Sequence, residues 1–152
     1  MGYLKNEKAT REVFDEQGYF KSGDQGRLDG KFLKITGRIK ELIIGAGGEN
    51  IAPVPIEEAF KKECPVCANI MMVGEQQRCM GALITVKVEV DMKTGQPSTD
   101  LTPDCIKFFK DNAKVDVKTS EEACKNQKVF ELIQKCMNDT NKTLVSKAAH
   151  IK

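Results

Sequence analysis

The clearest pattern of apolar and polar positions lies at 86–91, where Val86, Val88 and Val90 alternate with Lys87, Glu89 and Asp91. A period of two predicts a half-buried strand, placed at the end of a longer run over 80–90. The mostly apolar run 67–73 precedes it, and the polar stretch 74–78 between them predicts that the two runs pair antiparallel. Further on the period changes: Cys124, Val129, Phe130, Ile133, Cys136 and Met137 recur at helical spacing, less clearly through Leu144, which predicts one core-facing helix. Thr119 and Glu122 ahead of it have the spacing of a capping box. Between these blocks, 92–100 with Thr94-Gly95-Gln96-Pro97 reads as a loop. Thr102 caps a helix with Pro103 at its first position, Leu101 and Ile106 are spaced as a hydrophobic staple, and 110–118 reads as a polar connection.

The N-terminal part is shorter-ranged. Asn6 caps a brief helical segment that Gly18 closes, 19–21 is extended, and Ser22-Gly23-Asp24 turns. Asp29-Gly30 is a two-residue hairpin signal joining 26–28 to 31–35. Asp24 then lies at the rim of a small antiparallel unit and Arg38 just beyond its far strand. A carboxylate and a guanidinium so placed suit the two hydroxyls of a ribose, one accepting and one donating. The same spacing also describes a turn aspartate paired with a surface arginine. Leu42, Ile43 and Ile44 form a short buried strand before the turn Gly45-Ala46-Gly47-Gly48, whose small residues let backbone approach a ligand. Pro55 suits the first position of the following helix. The expected organisation is α+β: a small antiparallel β-unit over 1–37, then an α+β domain over 38–152.

Composition narrows the chemistry. The net charge is +2, with 30% charged residues whose signs are interleaved, so no basic face argues for nucleic acid. No apolar run approaches the roughly 20 residues needed to span a bilayer, and the start lacks a signal-peptide pattern. The chain reads as cytoplasmic, with membrane association of a parent enzyme left open. Six cysteines include Cys64-x-x-Cys67, compatible with half a zinc site or a redox pair. No second CxxC follows, the one histidine is distant at His150, and Cys67 and Cys79 fall in strand-like runs that suit a small hydrophobe, so no metal site is expected. Two glycosylation sequons, at Asn138 and Asn141, fall in the helical segment and read as accidental.

Tyr19-Phe20-Lys21-Ser22-Gly23-Asp24 and Gly37-Arg38-Ile39-Lys40-Glu41-Leu42-Ile43-Ile44 together resemble two ordered motifs of the adenylate-forming superfamily. The sequence is most similar to its bubblegum-type long- and very-long-chain fatty acyl-CoA synthetases, through 46–51 with 53–57, Thr94-Gly95-Gln96-Pro97 and Leu101-Thr102-Pro103. The resemblance implies a two-step ligase using ATP and coenzyme A, with Mg²⁺ bound through its N-terminal part. It forms an acyl-adenylate from a long-chain fatty acid, then the acyl-CoA. It implies that Asp24 and Arg38 take the ATP/AMP ribose, that Lys40 is the hinge of a rotating C-terminal lid, and that Gly47 borders the coenzyme A tunnel.

The same resemblance marks departures. An upstream Ser/Thr/Gly-rich phosphate loop and a fatty-acid pocket are not in the sequence, and none of Lys142, Lys147 or Lys152 has the neighbours of the family's C-terminal lysine. The chain is expected to stop inside the helix before that segment, to lack catalytic residues of its own, and to be silent alone. Its expected partner is the rest of a large N-terminal adenylation domain. The competing reading is an independent binding or interaction module derived from such an enzyme.

Overall fold

Asn6 opens the first helix as expected: its Oδ1 accepts from the Ala9 amide at 3.0 Å, and α1 runs over Glu7–Glu12. The computed structural model describes residues 2–152 and divides into two units, Met1–Leu42 and Ile43–Lys152. In the first unit, Phe14 and Phe20 pair edge-to-face at 5.7 Å and join by an antiparallel bridge. Strands β1 (Asp24–Asp29) and β2 (Phe32–Arg38) form a hairpin with a bulge between Gln25 and Gly26. Its two-residue loop is Gly30-Lys31, not Asp29-Gly30 as the sequence suggests. Gly30 takes φ +62° at the first loop position, and Asp29 stays in register with Phe32, its carboxylate bonded by the Lys34 ammonium. Leu28 pairs with Leu33 and Gly26 with Ile35, so three apolar side chains share one face, and all three are exposed.

The second unit begins with the short pair β3 (Ile43–Ile44) and β4 (Asn50–Ile51), followed by α2 (Pro53–Glu63). That helix begins at Pro53, two residues before the expected Pro55; both prolines sit where helix amides have no intrahelical partner, so neither costs a bond. The antiparallel pair β5 (Cys67–Val73) and β6 (Gly81–Val86) follows the prediction. The expected run to Val90 does not stay in one ladder. The Lys87 amide bonds Val66 O at 2.9 Å and the Lys87 carbonyl accepts from Thr102, so the chain turns out of the pair. It continues as β7 (Val88–Val90), which pairs with β8 (Pro97–Leu101) inside the segment expected to be a loop.

Thr102 caps α3 (Pro103–Ala113), which extends into the expected polar connection because Phe109 is fully buried; Lys114 ends it at φ +56°. The capping box of Thr119 and Glu122 is formed, but the helix after it is two: α4 (Ser120–Lys125) and α5 (Gln127–Thr143). Asn126 divides them, its Oδ1 accepting from the amides of Lys128 and Val129. The division rotates the faces, leaving Cys124 and Phe130 exposed while Ala123, Val129, Cys136 and Met137 are buried. Ile56 and Phe60 of α2, Ile70 and Met72 of β5, and Phe109 of α3 complete the core around α5. The sequence does not stop inside the helix: α5 closes at Thr143, and Ile151 then bridges Met80 in parallel, with Lys152 N to Met80 O at 2.8 Å. Helices with separate antiparallel strand pairs give the α+β class expected.

Candidate functional site

Asp24 is the first residue of β1 and Arg38 the last of β2, and they face each other as register partners at the open end of the hairpin. Arg38 Nε lies 3.6 Å from Asp24 Oδ1, and a second guanidinium nitrogen lies 3.6 Å from Glu41 Oε1. The backbone fixes both ends: Ile39 N donates to Gly23 O at 2.8 Å, and Asp24 N donates to Ser22 Oγ at 3.2 Å. Both ion-pair distances exceed a close hydrogen bond, so the carboxylate keeps acceptor capacity and the guanidinium keeps donors for a ligand. The Asp24 side chain is 34% exposed and that of Arg38 69%. Glu41 was not picked out from the sequence, although its i,i+3 spacing from Arg38 was the available signal. Lys40 lies exposed in the 3-10 turn Ile39–Glu41, two residues before the division between units.

Gly47 belongs to the second unit, in an exposed turn held by its own backbone. Gly45 N donates to Glu49 O at 3.0 Å, Gly48 N to Gly45 O at 2.9 Å, and Ala46 N to Gln77 O at 3.0 Å. A further strap comes from Glu75, whose carboxylate accepts from Ile44 N at 3.1 Å. A Cβ on Gly47 would meet the Glu49 carboxylate at 2.6 Å, a flexible group, whereas Gly48 requires glycine for its φ of +83°. The turn thus presents backbone outward at 47 and spends its conformational requirement at 48.

Other candidates take definite places. Cys64 and Cys67 are buried, while Cys79, expected in a strand, is exposed. His150 is half-buried. Among the described residues, no group of three or more His, Cys, Asp or Glu side chains is arranged to hold a metal ion. No helix there is long and apolar enough to cross a membrane. A half-open cavity of about 730 Å³ lies in the second unit, walled by Ile84, Val86, Val88, Ala123, Val129 and Ile133. Sequence reasoning missed it because its walls come from six separate elements, β5 to β8 with α4 and α5.

An α+β unit bearing this turn, preceded by a hairpin that ends in a paired acid and base, defines the class to which comparison then gives a family. Residues 40–152 match the AMP-binding enzyme C-terminal domain, and the chain belongs to that family. The chain is 42% identical to the long-chain-fatty-acid–CoA ligase ACSBG2 of Gallus gallus over 153 aligned residues, covering 99% of this chain and 20% of that protein. It is 41% identical to the long-chain-fatty-acid–CoA ligase ACSBG1 of Macaca fascicularis, covering 99% of this chain and 21% of that one. The chain therefore spans about a fifth of the length of the curated relatives it matches. The fold is similar to that of part of the A domain of a carboxylic acid reductase from Segniliparus rugosus, solved with AMP and a co-purified carboxylic acid. The TM-score is 0.68 at 18% identity, over 99% of this chain and 20% of that one.

Proposed function

We propose that this chain is the part of an ATP-dependent long-chain fatty acid–CoA ligase that carries the ribose-binding pair and the C-terminal lid. The observation that carries the reading is its 42% identity, along nearly its whole length, to a protein named as such a ligase. The site's chemistry fits. Asp24 and Arg38 offer an acceptor and donors from one rim, as the two hydroxyls of an ATP or AMP ribose require, and neither group is saturated by the other. The short exposed turn at Lys40 supports its reading as the hinge, since such a turn can absorb a backbone change. Gly47, with no side chain of its own and only the flexible Glu49 carboxylate over it, suits the edge of a passage for the coenzyme A thiol. Mg²⁺ is assigned to residues outside this chain.

The uncovered apolar face of Leu28, Leu33 and Ile35 supports a further protein partner, the rest of a large adenylation domain, over a stand-alone module. The test is a replacement. The matching segment of the Gallus gallus enzyme is exchanged for this chain, and both chimera and isolated chain are given oleate, ATP and coenzyme A. The expected result is acyl-CoA from the chimera and none from the chain alone. A folded chimera without adenylation or thioester formation, or turnover by the isolated chain, overturns the reading.

A further inference from the structure

The cavity of the second unit takes its walls from both sides of two breaks in the chain. β6 and β7, parted at Lys87, supply Val86 and Val88; α4 and α5, parted at Asn126, supply Ala123 and Val129. Lys87 spends its amide on Val66 O and its carbonyl on Thr102 N, so β7 cannot continue the ladder of β5 and β6, and the two ladders separate there. Apolar side chains from both ladders and both helices then wall about 730 Å³, within the ~300–1,000 Å³ typical of small-molecule sites. Val86, Val88 and Ile133 are only partly buried, which leaves apolar surface facing this space. Such walls give water few partners, whereas an acyl chain gains by lying against them.

Charge narrows the ligand. Lys87 is the one charged residue lining the cavity, and no acid lines it. Among the described residues, Lys87 takes part in no ion pair. An apolar volume with a single cation selects a long apolar body carrying one negative head. We propose that this cavity binds a fatty acid, its chain against Val86, Val88, Val129 and Ile133 and its carboxylate at Lys87. The choice of a fatty acid rests on the ligase reading above. The site is distinct from the residues read there, since Asp24, Arg38, Lys40 and Gly47 line none of this cavity.

Two exposed thiols report on occupancy: Cys124 lines the cavity and Cys79 does not. The experiment follows alkylation of both by iodoacetamide in the full 152-residue chain, resolved peptide by peptide by mass spectrometry. Laurate, kept below its micelle concentration, is expected to protect Cys124 and to leave Cys79 unchanged. The concentration for half-protection should fall about fourfold for each methylene added between octanoate and laurate. Lys87→Gln should raise that concentration about tenfold for decanoate, the loss of one charge-assisted bond, and leave it unchanged for uncharged decanol. Failure of laurate to protect Cys124, or equal protection of Cys79, overturns the proposal. So does protection that ignores chain length, or an equal response of decanoate and decanol to Lys87→Gln. The assay needs neither ATP nor coenzyme A. Protection alongside an inactive chimera upholds the cavity and removes the ligase reading; no protection alongside an active chimera removes the cavity alone.

Discussion

Asp24 and Arg38 are register partners across the last rung of a hairpin, with Arg38 Nε 3.6 Å from Asp24 Oδ1 and Glu41 sharing the guanidinium. An exposed pair at this spacing contributes less than about 1 kcal/mol to folding. Its placement therefore matters for what it presents rather than for cohesion. In the chimeric ligase, Arg38→Ala is expected to raise the KM for ATP about tenfold, the loss of a charge-assisted hydrogen bond of about 1.5 kcal/mol. The melting temperature of the chain should stay within about 2 °C. Steady-state kinetics against ATP and a thermal melt decide it; an unchanged KM removes Arg38 from the nucleotide site.

Gly47 and Gly48 are neighbours with opposite demands. Gly48→Ala forces a side chain into the left-handed region at φ +83° and should cost about 1–2 kcal/mol of stability. Gly47→Ala displaces only the mobile end of Glu49 and should cost less than about 0.5 kcal/mol. If Gly47 borders the thiol passage, its alanine variant in the chimera slows acyl-CoA formation while the single-turnover burst of pyrophosphate, measured without coenzyme A, keeps its rate. Slowing of that burst as well would place Gly47 elsewhere.

Glu122 accepts from the amides of Lys118 at 2.8 Å and Thr119 at 3.3 Å, which holds its carboxyl below the ordinary 4.5. A carboxyl lowered on folding adds stability that is complete above pH 4.5 and is lost as pH falls through the lower folded-state value. Urea unfolding from pH 6 downward should show this acid limb in the native chain and a flatter one in Glu122→Gln. Thr119→Ala, which removes the reciprocal bond to Glu122 N, should cost about 1 kcal/mol across the range. An identical pH profile for native chain and Glu122→Gln would rule out the linkage.

The caps at Asn6, Thr102 and Thr119 were legible because donor and acceptor lie within a few residues, so residue type and spacing settle the local bond. The strand β8 was not. Pro97-Ser98-Thr99-Asp100 carries no apolar alternation, and its ladder depends on β7 supplying partners at Val88 and Val90. The break at Lys87 is likewise tertiary, fixed by Val66 and Thr102. Asn126 did carry a capping signal, but the apolar spacing running past it concealed the split until the fold exposed Phe130. For the site, the hairpin signal sufficed to bring Asp24 towards Arg38 even though its loop was one residue out of place.

Asn141 ties down the segment after α5 from the side. Its amide nitrogen donates to Ile151 O at 2.8 Å and its oxygen accepts from Ile151 N at 2.9 Å, so one side chain satisfies both backbone groups of a residue that is almost wholly buried. A side-chain amide sets a donor and an acceptor side by side, which matches one residue's C=O and N–H, and Gln is one methylene too long for this reach. Asn141→Ala leaves the Ile151 amide and carbonyl unpaired in a buried place, at a cost of about 2–3 kcal/mol. The bridge of Ile151 to Met80 and the Lys152 N to Met80 O bond depend on that tether, so the loss should be local before it is global. Hydrogen exchange at Ile151 and Lys152 is expected to accelerate in Asn141→Ala by far more than at α3, whose Phe109 stays in the core. Asn141→Asp, which keeps the acceptor and loses the donor, should fall between. Uniform acceleration across α3 and the final residues would show instead that Asn141 supports the whole unit.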